Sequence, residues 1–214
     1  MNGKTKKLTT IAMLCAITYA VMAVGRIPVV LFMKYDPSDV IVALSGFIWG
    51  PTTSCIVSVA VAVIEMITVS ETGIWGCIMN IIQTLSFACT AAVIYKKKHT
   101  LAGAVSGLAA GWIIATAVML LWNYLVTPIY MGYPREAVAE MLVPVFLPFN
   151  LLKGGLNAAF TFLLYKPVVT ALRKSGYVST VENGTRRRHT GLILLALLII
   201  ITCILFLLSM NGII

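Results

Sequence analysis

Seven apolar runs, divided by short polar or basic breaks, organise this chain: Leu8–Val30, Val40–Trp49, Thr52–Val69, Ile74–Tyr95, Leu101–Val126, Leu142–Val169 and Gly191–Met210. Crossing a hydrocarbon layer of about 30 Å takes about 20 helical residues, so every run except Val40–Trp49 is long enough, or nearly so, to span. The short run needs help from its neighbours. Trp49-Gly50-Pro51 predicts a tight turn that ends it, and the preceding loop from Pro28 is expected to dip into the bilayer under the shield of other segments. The pattern therefore predicts an all-α integral membrane protein, with six helices in a bundle and one more transmembrane helix at the C-terminus.

Composition agrees: of 214 residues, 60% are hydrophobic and 11% charged, and the mean hydropathy is +0.98. The start resembles a signal peptide in having lysines before an apolar stretch, but Leu8–Val30 is long enough to span and is read as the first helix.

A net charge of +9 raises the question of nucleic acid, and the placement of the charges answers it. Lys4, Lys6, Lys7, Lys96, Lys97, Lys98, Lys166, Arg173, Lys174, Arg186, Arg187 and Arg188 make up twelve of the sixteen basic residues. They fall at the N-terminus, after the fourth run and after the sixth, which six crossings put on one side of the membrane. By the positive-inside rule that side, with the N-terminus, is cytoplasmic. Asp36, Asp39, Glu71, Glu136 and Glu140 fall in the opposite loops, Glu65 lies alone within a helix, and Glu182 is inside. The basic balance reports topology in a plasma membrane and gives no reason to expect a nucleic-acid partner.

Lys153 carries the most chemistry. It lies three residues after Asn150 in Pro148-Phe149-Asn150-Leu151-Leu152-Lys153-Gly154, a step that puts amide and ammonium on one helix face. A lysine at the centre of a bilayer costs about 2.5–3.5 kcal/mol, so such groups usually face a cavity and serve a function. The alternative is a lysine near a helix end that snorkels to the headgroups. Asn123, near the outer end of the fifth run, falls at a similar depth, and Asn80 and the Lys34-Tyr35-Asp36-Pro37-Ser38-Asp39 loop add polar groups to an outward-facing pocket. Trp75, Trp122, Tyr124, Phe146 and Phe149 are close in sequence. Aromatic faces with amides suit a planar heterocycle, although aromatics at these positions equally suit the interfacial belt.

Catalytic patterns are missing from the sequence: no nucleophile with a base, no paired intramembrane aspartates, no His-Glu metal motif and no phosphate-binding glycine loop. No cofactor or metal is expected. Cys15, Cys55, Cys77, Cys89 and Cys203 lack the spacing of a zinc or redox site and read as small core residues, while His99 and His189 fall in basic loops. Glu65 is expected to be satisfied by water or a lysine.

Two ladders of small residues recur every four positions: Ala12, Ala16 and Ala20 on the first helix, and Gly103, Gly107 and Gly111 on the fifth. The glycines predict packing within the bundle. The alanines offer a smooth face that also suits a helix of another protein. Residues 1–175 read as one six-helix membrane domain, 176–190 as a basic cytoplasmic linker and 191–214 as the extra transmembrane helix.

Over residues 8 to about 172 the chain resembles the substrate-binding S components of energy-coupling factor (ECF) vitamin transporters, in particular the riboflavin-specific type. The resemblance rests on Ala12-x-x-x-Ala16, Lys34-Tyr35-Asp36-Pro37-Ser38-Asp39, Gly46-Phe47-Ile48-Trp49-Gly50-Pro51, Thr72-Gly73 with Met79-Asn80, Tyr95-Lys96-Lys97-Lys98, Asn123-Tyr124 and the segment Pro148–Gly154. It implies a six-helix bundle that takes riboflavin from outside a bacterial cell and docks on a T component bearing two ATPase subunits. It further implies that Asn123, Asn150 and Lys153 bind the flavin, with Tyr35, Asp36 and Asn80 as further candidates, and that Ala12 and Ala16, extended by Ala20, form the docking face. The extra helix departs from that family's pattern and is expected to lie away from Ala12 and Ala16, or to drift on its linker. Rival readings are a membrane enzyme acting on a lipid or isoprenoid, with Lys153 as an acid–base or electrophilic group, and a stand-alone permease.

Overall fold

The computed structural model describes residues 3–30, 33–70, 72–174 and 190–210. Its order is α1 (Gly3–Gly25), β1 (Ile27–Val30), β2 (Met33–Tyr35), α2 (Ser38–Trp49), α3 (Pro51–Thr68), α4 (Gly73–Thr84), α5 (Thr90–Lys98), α6 (Leu101–Met131), α7 (Arg135–Met141), α8 (Leu147–Lys174) and α9 (Thr190–Met210). π-Helical turns at Leu85–Cys89 and Leu142–Phe146 join α4 to α5 and α7 to α8. By length and apolarity, five stretches of the described residues suffice to cross a membrane: Lys7–Gly25, Pro51–Thr68, Gly73–Lys98, Leu101–Met131 and Arg135–Leu172.

With α2 these make the expected six-helix bundle. At 12 residues α2 extends only about 18 Å, yet nine of its residues are buried, because it packs on α1, α3 and α8 rather than facing lipid. Gly50 ends it with φ at +94°, a conformation that side chains disfavour, and Pro51 opens α3 at a position where its missing N–H costs nothing.

The first helix is shorter than the hydrophobic run suggests. It stops at Gly25, and the chain past Arg26 forms a β-hairpin, pairing Ile27 with Tyr35 and Pro28 with Lys34. Pro28 cannot donate to a ladder, and the register is irregular between Pro28 and Val30. The Leu142–Val169 run is also divided. Pro144 and Pro148 each lack the N–H that an α-helix returns to the residue four before, and the chain between Leu142 and Phe146 adopts the wider π turn.

One core cluster joins Leu14 of α1, Val42 and Phe47 of α2, Val57 of α3, Phe87 of the first π turn and Leu108 of α6. The glycine ladder serves this packing: a Cβ on Gly107 would come within 2.7 Å of the Ala91 carbonyl oxygen, and one on Gly111 would run into that of Phe87. The second cluster joins the hairpin to α8 through Val29, Met33, Phe149, Leu152 and Leu156. Cys203 and Ile200 of α9 pack against it, so α9 lies along α8, whereas α1 packs on α2 and α3. Most other described side chains of α9 are exposed leucines and isoleucines, as a lipid-facing helix requires. Ala12, Ala16 and Ala20 are all exposed along one side of α1. Cys55 and Cys89, 34 positions apart, bring their sulfurs to 3.2 Å as free thiols. The predicted linker falls almost wholly in residues 175–189, outside the described residues, as do Glu71, Glu182 and His189.

Candidate functional site

Alternating helices place the hairpin, the turn after α3 and the end of α6 at one end of the bundle, opposite the Lys96–Lys98 cluster. A cavity of about 120 Å³ opens there. Asn80, Asn123, Asn150 and Lys153, from three different helices, all line it, and so does Asp36. The three-residue step on α8 therefore delivers both Asn150 and Lys153 to one space. Phe149 supplies the aromatic surface and Met33, Met79 and Met119 the adaptable apolar contacts.

The amides are preset by their own helices. Asn123 donates to the Met119 carbonyl at 2.8 Å and accepts from Thr127 at 3.0 Å, while Asn150 donates to the Phe146 carbonyl at 2.8 Å. Each keeps a second N–H for a ligand, in an orientation already fixed, which lowers the entropy lost on binding. Lys153, 9% exposed, stands 3.6 Å from the Asp39 carboxylate. That distance is an ion pair too long for a hydrogen bond, so the charge is neutralised while the N–H donors stay available.

A second polar chain runs along the mouth. Arg26 donates to Glu65 at 2.6 Å and to Asp36 at 3.1 Å, and Asn80 donates to the other oxygen of Glu65 at 2.7 Å. Glu65 is thus satisfied by an arginine and an amide rather than a lysine. Asp36 also accepts the Ser38 N–H at 2.8 Å at the start of α2, so its oxygens serve the mouth's architecture.

Tyr35 is placed elsewhere. It is 5% exposed and donates to Asn157 of α8 at 3.0 Å, behind the cavity wall. Burial, reinforced by the charges of Asp39 and Asp36, pushes its phenol pKa well up and keeps it a donor. Of the aromatics, Phe146 is buried in the core, and Trp75 and Tyr124 are 40% and 37% exposed, in keeping with an interfacial belt.

Sequence reasoning missed Arg26, Glu65, Gln83, Met79, Met119 and Tyr130 as lining residues. Gln83 had a signal: it follows Asn80 by the same three-residue step that joins Asn150 to Lys153. Arg26 had none, because its acceptors lie 10 and 39 positions away.

The family profile described as "ECF transporter, substrate-specific component" matches residues 6–165. A riboflavin transporter RibU of Staphylococcus aureus (strain TCH60) is 29% identical over 190 residues, covering 81% of this chain and all of that protein. The riboflavin transporter RibU of Streptococcus thermophilus (strain ATCC BAA-250 / LMG 18311) is 25% identical over 181 residues, 79% of this chain and 86% of the relative. Among solved structures, one described as the S component of a bacterial ECF transporter superposes with a TM-score of 0.67 at 29% identity, over 79% of this chain and 99% of that one. These findings give no support to a lipid- or isoprenoid-modifying enzyme. With the match covering three quarters of its length, the chain belongs to the substrate-specific components of ECF transporters.

Proposed function

We propose that this substrate-specific component binds riboflavin from the extracellular side of a bacterial plasma membrane and delivers it through an ECF importer. The observation that carries this reading is the convergence of Asn80, Asn123, Asn150 and Lys153 on one cavity floored by Phe149 and methionines. An isoalloxazine ring has a polar edge of alternating acceptors and one N–H, matched by amides and an ammonium, and an apolar dimethylbenzene end suited to Phe and Met. The relatives whose names specify riboflavin strengthen the choice of ligand.

Partners follow from the family and from what the chain exposes. Membership of the ECF substrate-specific components supports docking on a T component with two ATPase subunits, and the ATPases hydrolyse the ATP. The exposed Ala12, Ala16 and Ala20 form a face that lets a partner helix approach closely. The N-terminus and the Lys96–Lys98 cluster lie in the cytoplasm, with the cavity mouth outside. Co-expression with the T component tests the docking face: wild type should co-purify, and Ala12→Trp with Ala16→Trp should not. Equal recovery would move the interface. For the ligand, chain purified from riboflavin-supplied cells should be yellow, with a flavin band released on denaturation. A chain that stays colourless and ignores added riboflavin refutes the reading.

A further inference from the structure

The buried carboxylate of Asp39 lies outside the rim of the main cavity, and side chains of α4 and α8 converge on it. Thr84, at the end of α4, donates to Oδ1 at 2.6 Å. Asn157 of α8 donates to Oδ2 at 3.1 Å, and Lys153, one turn earlier on the same helix, faces that oxygen at 3.6 Å. Tyr35 of β2 then donates to the Asn157 side-chain amide oxygen, Oδ1, at 3.0 Å. This last bond sets the direction of the whole arrangement, because an Asn157 oxygen committed to Tyr35 leaves its N–H₂ toward Asp39.

We propose that Asp39 is the positioning residue of the ligand site: held by Thr84 and by the Tyr35–Asn157 pair, it holds the Lys153 ammonium at the cavity wall with its N–H donors turned to the ligand. The proposal rests on the riboflavin reading and adds to it a residue that touches no ligand. Asp39 is 3% exposed, so it serves from behind the wall. Lys153 borders both the main cavity and a smaller one that Asp39, Ser38, Ser58 and Thr84 line, as do Asp36, Glu65 and Asn80. A flexible lysine stem without that anchor has several rotamers, most of which withdraw the ammonium from a ligand's polar edge. The arrangement also gives Tyr35 a role: it orients the amide that orients the carboxylate.

The test is a double-mutant cycle on riboflavin affinity, measured by quenching of flavin fluorescence on the full chain in nanodiscs. Asp39→Asn should weaken binding about tenfold or more in the Lys153 background and by less than about threefold once Lys153→Met is present, because coupled residues are non-additive. Thr84→Val, which removes one support and keeps the charge, should weaken binding by a few-fold with the same dependence on Lys153. Asp39→Glu should recover part of the loss. Equal losses in both backgrounds mean a general structural role, and unchanged affinity means no role; either overturns the proposal. If Asp39→Asn does not fold, Thr84→Val decides by the same criterion. Wild-type chain that binds no riboflavin would instead sink the ligand reading itself.

Discussion

Replacing Arg26 by Met removes the cation from the mouth while keeping much of its length. Two charge-assisted hydrogen bonds disappear, at 2.6 Å to Glu65 and 3.1 Å to Asp36. Each such bond contributes about 1.5–3 kcal/mol. The Arg26 side chain is 20% exposed, so solvent screening reduces the sum. Glu65 keeps Asn80, and Asp36 keeps the Ser38 N–H, which offsets part of the remainder. The net loss of stability is about 2–4 kcal/mol, and since 1 kcal/mol shifts the melting temperature of a chain this size by about 2–4 °C, a fall of roughly 5–15 °C follows. Thermal unfolding of the detergent-solubilised chain, followed by circular dichroism or a thiol-reactive dye, reads it. Adding Glu65→Gln should recover part of the loss, because the uncompensated carboxylate is what makes the single variant costly. A melting temperature within about 1 °C of wild type, or a double variant worse than the sum of the singles, would refute the ion-network argument.

Lys153→Met removes a charge-assisted donor from the cavity and should weaken riboflavin binding by about 10- to 100-fold, read by fluorescence quenching; unchanged affinity would put the ligand elsewhere. Gly111→Ala drives a methyl against the Phe87 backbone carbonyl, which cannot rotate away, and should cost about 1–3 kcal/mol in thermal stability, whereas Gly191→Ala meets open space and should cost little. Deleting residues 176–214 should leave riboflavin affinity within about threefold, because α9 packs along α8 and none of its described residues lines the cavity; loss of binding would make α9 part of the site's support.

The site was legible where one helix carried the information. Asn150 and Lys153 announce a shared face by spacing alone, Asn123 falls at the same depth by counting from the helix ends, and Gly50-Pro51 marks the turn that makes α2 short. Information carried between elements was not legible. Glu65 looked isolated because Arg26 is 39 positions away, and Asp39 looked like an ordinary loop acid because Thr84 and Asn157 reach it from 45 and 118 positions off. Tyr35 read as a cavity residue with its neighbours, yet its partner is Asn157, and no local pattern encodes that choice. Hydropathy also outvoted the cues at Gly25-Arg26 and Pro28. An apolar strand and the end of an apolar helix look alike when averaged over a long window, so the first strand of the hairpin falls inside the run that predicts the first helix.

Equilibrium binding to the purified wild-type chain decides whether this cavity holds riboflavin. Titrating riboflavin against the chain in nanodiscs should quench flavin fluorescence saturably, with one site per chain. Quenching that never saturates, or that is equal in empty nanodiscs, would contradict it.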